Sequence, residues 1–147
     1  MKLQDSKEVG MRHMQPDKWQ QAYIDVAHRF AELSSCERRK VGAIIVKDNR
    51  IISIGYNGTP AGWDNCCEVD NVTKPEVIHA EQNAIAKLAK SNESGLGAEM
   101  YVTCSPCVEC AKQIYGAGIT RVYYKECYKS NDGIKFLNKC NVETTQI

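Results

Sequence analysis

The sequence predicts an α/β protein with a mixed sheet of about five strands, on three observations. First, two apolar runs separated by a turn-forming segment follow an amphipathic helix, which indicates an N-terminal antiparallel hairpin. Second, helices and strands alternate from residue 79 onward, which is typical of a parallel sheet with helices packed on it. Third, a chain of 147 residues, 43% hydrophobic and 25% charged, is ordinary for one soluble domain. We therefore expect a single domain over residues 1–147.

The first half of the chain predicts one helix and the hairpin. Pro16-Asp17 opens the helix, because apolar residues then recur at three- and four-residue steps. Residues 41–46 are almost continuously apolar, which predicts a strand buried on both faces and central in the sheet. Residues 47–50 form a turn before a second strand at 51–56. The apolar helix face comprises Trp19, Tyr23, Val26, Phe30 and Leu33.

The second half of the chain predicts the remaining helices and strands. Residues 63–75 show no regular pattern, and a helix over 79–90 follows them. Ser105 is predicted as the N-cap of the next helix and Pro106 as its first residue. The other elements are a strand at 99–103, a helix at 107–115, a strand at 119–125, a helix at 132–140 and a short strand at 142–147.

Charge and apolarity limit the classes of partner. A net charge of +1 gives no basic field for nucleic acid, so we expect a small substrate. No apolar run is long enough to span a bilayer. Residues 1–15 lack a signal-peptide core and are predicted as a flexible or interface leader. The cytoplasm, of a host cell if the chain is viral, is therefore expected, and there the eight cysteines favour metal over disulfides.

The most informative pattern joins His79-Ala80-Glu81 to Pro106-Cys107-Val108-Glu109-Cys110. Cys107 and Cys110 face the same way on the first turn of a helix, where the helix dipole stabilises thiolates. An imidazole and two thiolates hold Zn²⁺ by three points and leave a fourth position open, as in catalytic sites. Glu81 then has a role as general base and acid on a water at that position.

This pattern is the H-x-E…P-C-x-x-C signature of zinc nucleobase deaminases. Two helix N-termini must converge for His79 and Glu81 to share one site, and a βαβ arrangement provides this. The alternative is a closed structural zinc site. Such a site needs a fourth ligand and leaves Glu81 without a role.

Beyond this motif, the chain from Ala22 to Tyr128 resembles the deoxycytidylate (dCMP) deaminases, in particular bacteriophage members. The resemblance implies a cytidine-deaminase-like three-layer α/β/α sandwich. It also implies hydrolysis of dCMP to dUMP and ammonia, which supplies dUMP for thymidylate synthesis. The matching segments are Ser35 to Gly42, Gly55 to Gly62, His79 to Ile85 and Thr103 to Ala111.

The resemblance also assigns roles by position. His79, Cys107 and Cys110 bind zinc, and Glu81 moves protons. Asn57 contacts the sugar, the Ala80 backbone contacts the pyrimidine, and Tyr128 covers the nucleotide. Arg38 or Arg39 binds the 5′-phosphate, since guanidinium groups suit phosphate; the alternative is a solvated basic run.

Regulation and assembly are implied by the family alone. Many members are homohexamers that dCTP activates and dTTP inhibits with Mg²⁺. The corresponding regulatory loop here comprises Gly58, Thr59, Pro60 and Gly62.

A second zinc is an open alternative. Some phage relatives hold one with cysteines at matching places, here Cys36, Cys66 and Cys67, and with histidine from an inserted segment. This chain has no such insertion between Cys67 and His79, and buried free cysteines are the other interpretation. Cys104, Cys127 and Cys140 are predicted to be packing residues, and His28 an ordinary helix residue.

Three other functions stay open. One is a bifunctional dCMP/dCTP deaminase, because no motif reports the depth of the phosphate pocket. Another is a tRNA adenosine or guanine deaminase, which near-neutral charge and the residue 55–58 loop disfavour. The third is a zinc-binding module without activity.

Overall fold

Four helices and seven strands lie within residues 12–147, the part of the chain that the computed structural model describes. The helices are α1 Lys18–Ala31, α2 Ala80–Ala89, α3 Val108–Gly116 and α4 Asp132–Lys139. The strands are β1 Gly42–Lys47, β2 Arg50–Tyr56, β3 Glu68–Val69, β4 Val72–Thr73, β5 Glu99–Cys104, β6 Arg121–Glu126 and β7 Glu143–Gln146.

The main sheet has the strand order β2-β1-β5-β6-β7. Strand β1 is antiparallel to both β2 and β5, whereas β6 and β7 run parallel to β5. Asp48 and Asn49 close the β1–β2 hairpin with φ of 51° and 57°, the left-handed pair that a tight hairpin turn requires. The predicted mixed sheet, its N-terminal hairpin and an interior first strand are therefore confirmed.

Helices cover both faces of this sheet. Helix α1 packs on one face, against Ile44, Tyr101 and Tyr123. The other face carries α2, α3 and α4, and its core includes Ile45 and Met100. Neighbouring residues of each strand thus enter opposite cores, as the two-residue strand period requires. The predicted three-layer sandwich is confirmed.

The buried face of α1 differs from the predicted one. Trp19 and Leu33 are 54% and 51% exposed, while Ala27 and Ala31 are buried. The sheet approaches α1 so closely that a Cβ on Gly42 would lie 2.0 Å from the Ala27 carbonyl oxygen. Only small side chains fit at that distance, so Trp19 and Leu33 lie outside the interface, whereas Tyr23 of the predicted stripe is buried beside Tyr101.

Two local predictions were wrong. Residues 63–75 are not wholly irregular, since β3 and β4 form a separate hairpin around Asp70 and Asn71, both at positive φ. Helix α3 has Cys107 as its N-cap instead of Ser105. Ser105 lies two residues before Cys107, where its hydroxyl oxygen accepts a hydrogen bond from the Tyr128 backbone N–H at 2.7 Å.

The end of the predicted leader joins the sheet. His13 forms a parallel bridge with Gln146, and the Met14 backbone N–H donates to the Gln146 carbonyl oxygen at 2.8 Å. Residues 1–11 of that leader lie outside the described residues. Within the described part, no helix has both the length and the apolarity of a membrane-spanning segment.

Candidate active site

The N-termini of α2 and α3 converge beside the carboxyl end of β5. His79 is the N-cap of α2 and Cys107 is the N-cap of α3. Each has an extended backbone and directly precedes the first residue of its helix. The Gln82 side chain accepts a hydrogen bond from the His79 backbone N–H at 2.8 Å, which fixes this start. A cleft of about 260 Å³ opens here. This is the edge at which α/β sheets bind ligands.

His79, Cys107 and Cys110, hereafter the donor trio, lie together at the floor of the cleft. The His79 Nδ1 atom is 3.3 Å from Cys110 Sγ and 3.7 Å from Cys107 Sγ. A tetrahedral zinc ion with usual bond lengths separates its N and S ligands by about 3.6 Å. The donor trio therefore has the chemistry and the spacing of a three-ligand zinc site.

The protonation of the donor trio also suits a cation. A hydrogen bond with Cys110 lowers the pKa of the Cys107 thiol to about 4, so Cys107 is a thiolate. The same contact raises the pKa of Cys110, and the contact with Cys107 raises the pKa of His79. Cys107 is thus the thiolate of the cysteine pair, and a bound cation would favour the thiolate form of Cys110 as well.

Glu81 lies in the first turn of α2, next to the donor trio, and is 4% exposed. Burial raises the pKa of its carboxyl group to about 7. A carboxyl group with this pKa both accepts and donates a proton near neutral pH, which is what general acid–base catalysis requires. The structure therefore brings together all four residues of the predicted centre.

Asn57 lines the cleft after β2, and its amide bridges two backbone groups. Its Oδ1 atom accepts from the Val41 N–H at 2.9 Å, and its Nδ2 atom donates to the Arg39 carbonyl oxygen at 2.8 Å. Asn57 thus fixes the segment that leads into β1. One N–H and one lone pair of the amide stay available to a ligand.

Three cationic side chains surround the mouth of the cleft. The Arg39 guanidinium donates to the buried Cys104 sulfur at 2.8 Å, and the Arg38 guanidinium donates to Thr73 Oγ1 at 3.4 Å. Lys129 is the third, with its Nζ atom 5.8 Å from the centre of the Tyr128 ring. Sequence reasoning missed Lys129, although its position directly after Tyr128 was a usable signal.

The other residues that were predicted to contact the nucleotide also line the cleft. Ala80 and Tyr128 line it, together with Cys104 and Ser105. The hydrogen bond from the Tyr128 N–H to Ser105 holds the segment after β6 against the end of β5. Cys104 is thus a cleft residue as well as a packing residue.

The cysteines predicted for a second zinc are arranged differently. Cys36 and Cys67 are joined in a disulfide, so neither is free to be a thiolate ligand. The Cys66 sulfur is exposed and donates to the Glu68 carbonyl oxygen at 3.1 Å. The sulfurs of Cys36 and Cys67 and the Glu68 carboxylate lie within 4.8 Å of one another, a spacing that could hold a metal ion only if the disulfide were open. Cys66 is not part of this group, and Cys36 and Cys67 are not free packing residues.

The loop that includes Gly58, Thr59, Pro60 and Gly62 is held by its own hydrogen bonds. Gly58 and Ile78 exchange two backbone hydrogen bonds of 3.1 and 2.8 Å, and Thr59 Oγ1 donates to the Asp64 carbonyl oxygen at 2.9 Å. Ile78 directly precedes His79, so this loop is connected to the donor trio through one residue.

Comparison with known proteins gives concordant matches. The family model for the cytidine and deoxycytidylate deaminase zinc-binding region matches residues 17–126. Deoxycytidylate deaminase of enterobacteria phage T4 is 36% identical over 74% of this chain and 78% of its own length. ComE operon protein 2 of Bacillus subtilis is 43% identical over 80% of this chain, and the match spans 65% of that protein.

A solved structure is similar throughout. The dCMP deaminase of cyanophage S-TIM5, in complex with dCMP and dUMP, superposes with a TM-score of 0.87 at 47% identity. The match covers 92% of this chain and 100% of the cyanophage chain.

Proposed function

The chain belongs to the cytidine and deoxycytidylate deaminase family, and from this premise we propose that it hydrolyses dCMP to dUMP and ammonia. The observation that carries the proposal is the buried Glu81 beside the donor trio, at the floor of a cleft whose mouth is cationic. A similar cyanophage enzyme holds dCMP and dUMP, which supports the choice of substrate. One domain spanning the chain, supplying dUMP for thymidylate synthesis, is part of the same proposal.

His79, Cys107 and Cys110 would hold the zinc ion. When bound, zinc supplies Lewis-acid activation of water near neutral pH. The chain's own contribution is to place one imidazole and two sulfurs on two helix N-termini. Their dipoles favour the negative charge of the thiolates.

Glu81 moves the protons in this proposal. Its carboxylate takes a proton from the attacking water and delivers it to N3 of the cytosine ring. Addition of water at C4 is followed by transfer of the second water proton, through Glu81, to the departing amine. The balance is dCMP and water to dUMP and ammonia, and burial of Glu81 excludes bulk water from these transfers.

The upper cleft orients the nucleotide. The free N–H of Asn57 is proposed to bind the sugar, the backbone at Ala80 the pyrimidine, and Tyr128 to cover the base. Arg38 and Arg39 are proposed to bind the 5′-phosphate, and Lys129, which lines the same cleft, adds a third positive charge. Within residues 12–147, these guanidinium groups donate hydrogen bonds to Thr73 and Cys104, which are neutral, so an anion does not have to displace a carboxylate from them.

Regulation and assembly form the last part of the proposal. We propose that dCTP activates and dTTP with Mg²⁺ inhibits through the loop of residues 58–62, within a homohexamer. The double hydrogen bond between Gly58 and Ile78 supports this, because a ligand that moved the loop would move the residue before His79.

The test is the rate of ammonia release from dCMP, dCTP and deoxycytidine, each with and without added dCTP and dTTP. We expect dCMP to be preferred, because only it places one phosphate among the three cations. Equal rates on dCMP and dCTP would indicate a bifunctional enzyme, and an equal rate on deoxycytidine would remove the phosphate assignment. Release from tRNA adenosine or guanine alone, or from no substrate, would contradict the proposed function.

A further inference from the structure

The segment of residues 65–74, here called the arm, contains β3 and β4 and forms one wall of the cleft. Its two strands pair only with each other and are not part of the main sheet. Val69 and Val72 are 57% and 64% exposed. Among residues 59–79 the only buried position is Cys67. The arm is therefore anchored to the protein chiefly through Cys67 and not by an apolar core.

The disulfide from Cys67 to Cys36 connects the arm to the segment that carries Arg38. Polar contacts surround this link. The Glu68 carboxylate accepts hydrogen bonds from the backbone N–H groups of Glu37 and Arg38, each at 3.2 Å. Thr73 accepts from the Arg38 guanidinium at 3.4 Å. The backbone and the side chain of Arg38 are thus both positioned by residues of the arm.

A disulfide is unusual in the cytoplasm, which is the compartment that the sequence predicts for this chain. In reducing compartments disulfides are rare, and those that form are mostly transient or redox-sensing. The pair is buried, with Cys36 2% and Cys67 0% exposed, but Cys66 next to it is an exposed free thiol. The link lies in a weakly packed segment, where local opening exposes it most readily to an external thiol.

We propose that the Cys36–Cys67 pair is a redox-sensitive link that positions Arg38 for the phosphate of the substrate. In the oxidised protein the arm holds Arg38 at the mouth of the cleft. In the reduced protein the arm separates and Arg38 loses both its backbone and its side-chain anchors. This proposal rests on the proposed function for its effect on activity, but not for its effect on structure.

The redox step is a thiol–disulfide exchange. A thiolate of an external dithiol attacks one sulfur of the pair, the S–S bond breaks and a mixed disulfide forms. The second thiol of the dithiol then displaces the cysteine and forms the reagent's own disulfide. Cys36 and Cys67 are left as two thiols after gaining two electrons and two protons. The disulfide form of a small thiol reverses the reaction.

The experiment compares the full-length zinc protein before and after treatment with dithiothreitol, with zinc content measured in both. We expect reduction to raise the KM for dCMP about tenfold, the scale of one charge-assisted hydrogen bond, with kcat within about twofold. The KM for deoxycytidine should not change, because it has no phosphate. Hydrogen exchange of residues 36–39 and 65–74 should accelerate.

Three variants distinguish the effect of losing the Cys36–Cys67 disulfide from other effects of the reductant. The double variant Cys36→Ser/Cys67→Ser should show the high KM without reductant and no response to it. Glu68→Ala should raise the KM for dCMP while the disulfide stays intact. Cys140→Ser, which removes a thiol far from the cleft, should respond to reductant as the wild type does.

An unchanged KM for dCMP together with unchanged hydrogen exchange would overturn the proposal. Binding of a second zinc ion by the reduced protein with an unchanged KM would also overturn it, since a metal would then replace the disulfide. If no cytosine nucleotide is deaminated in either state, the proposed function fails. The hydrogen-exchange result then still decides whether the pair controls the arm.

Discussion

Glu81 combines burial with a neighbouring set of metal donors, and this combination gives the sharpest single-residue prediction. Glu81→Gln keeps the size and burial of the side chain but cannot accept the proton of water. We expect kcat for dCMP to fall by a factor of about 10² to 10⁴, the usual contribution of a positioned acid–base group. Zinc content and thermal stability should be retained. An active variant would show that another group moves the protons.

Cys104 and the two cysteines of the donor trio have different roles, which allows a matched comparison. Cys107→Ser and Cys110→Ser each remove a sulfur of the donor trio, so zinc content measured by elemental analysis should fall well below one equivalent. Cys104→Ser changes the same residue type in the same cleft, but Cys104 contacts Arg39 and lies outside the donor trio. It should keep its zinc. Equal zinc loss in all three variants would contradict the assigned ligands.

Ser105 positions Tyr128 without belonging to the donor trio. Ser105→Ala leaves the half-buried N–H of Tyr128 without its 2.7 Å partner. The released segment should raise the KM for dCMP about tenfold, the cost of one unsatisfied buried donor. Steady-state kinetics distinguishes this from a general loss of fold, because kcat should change less than KM.

At the scale of residues, spacing alone predicted which side chains meet as candidate metal donors and candidate acid–base group. His79 and Glu81 precede Cys107 by more than 25 positions, but the motif fixes all three because the chemistry needs those residue types. Lys129 had only its position directly after Tyr128 as a signal, and Glu68 had none. Their roles depend on which loops meet at the cleft mouth, and that is set by tertiary packing.

The strands and helices that form the site are positioned by close contacts between their backbones. A Cβ on Gly55 would lie 2.3 Å from the Ala80 carbonyl oxygen and 2.6 Å from the Ala84 nitrogen, both in α2. Gly55→Ala must therefore displace the helix that begins after His79. We expect a loss of about 1–3 kcal/mol in the free energy of unfolding, together with lower kcat.

Gly116→Ala is the matched control for this substitution. A Cβ there meets nothing within 4 Å, and Gly116 is the last residue of α3. Alanine suits a helical residue, so stability measured by denaturant unfolding should be unchanged or rise by up to about 1 kcal/mol. Equal destabilisation of both variants would show that the contact between β2 and α2 is not the cause.

Element types were predictable, whereas two of their details were not. The predicted α1 stripe was right for Tyr23, which is buried, but wrong for Trp19 and Leu33, because proximity to Gly42 selects Ala27 and Ala31 for the interface. The β3–β4 hairpin was missed because two-residue strands have no periodicity to detect. Asp70-Asn71 between Val69 and Val72 was the available signal, since the similar Asp48-Asn49 pair closes the β1–β2 hairpin.

For the whole molecule, the order of apolar runs and helices predicted the layers and the mixed sheet, because a strand covered on both faces is apolar along almost its whole length, as β1 is. The link between Cys36 and Cys67 was not predictable. It joins residues 31 positions apart in a chain whose expected compartment argues against disulfides. Only the arrangement of the arm against the segment before β1 brings these two cysteines together.

The central claim is that one zinc ion, held by the donor trio, makes this chain a dCMP deaminase. Its most direct test is a titration of the metal-free protein with zinc while dUMP formation from dCMP is measured. We predict no activity without metal, a linear rise that ends at one equivalent, and no recovery at that stoichiometry in His79→Ala. Activity of the metal-free protein, or full activity of His79→Ala at one equivalent, would contradict the claim.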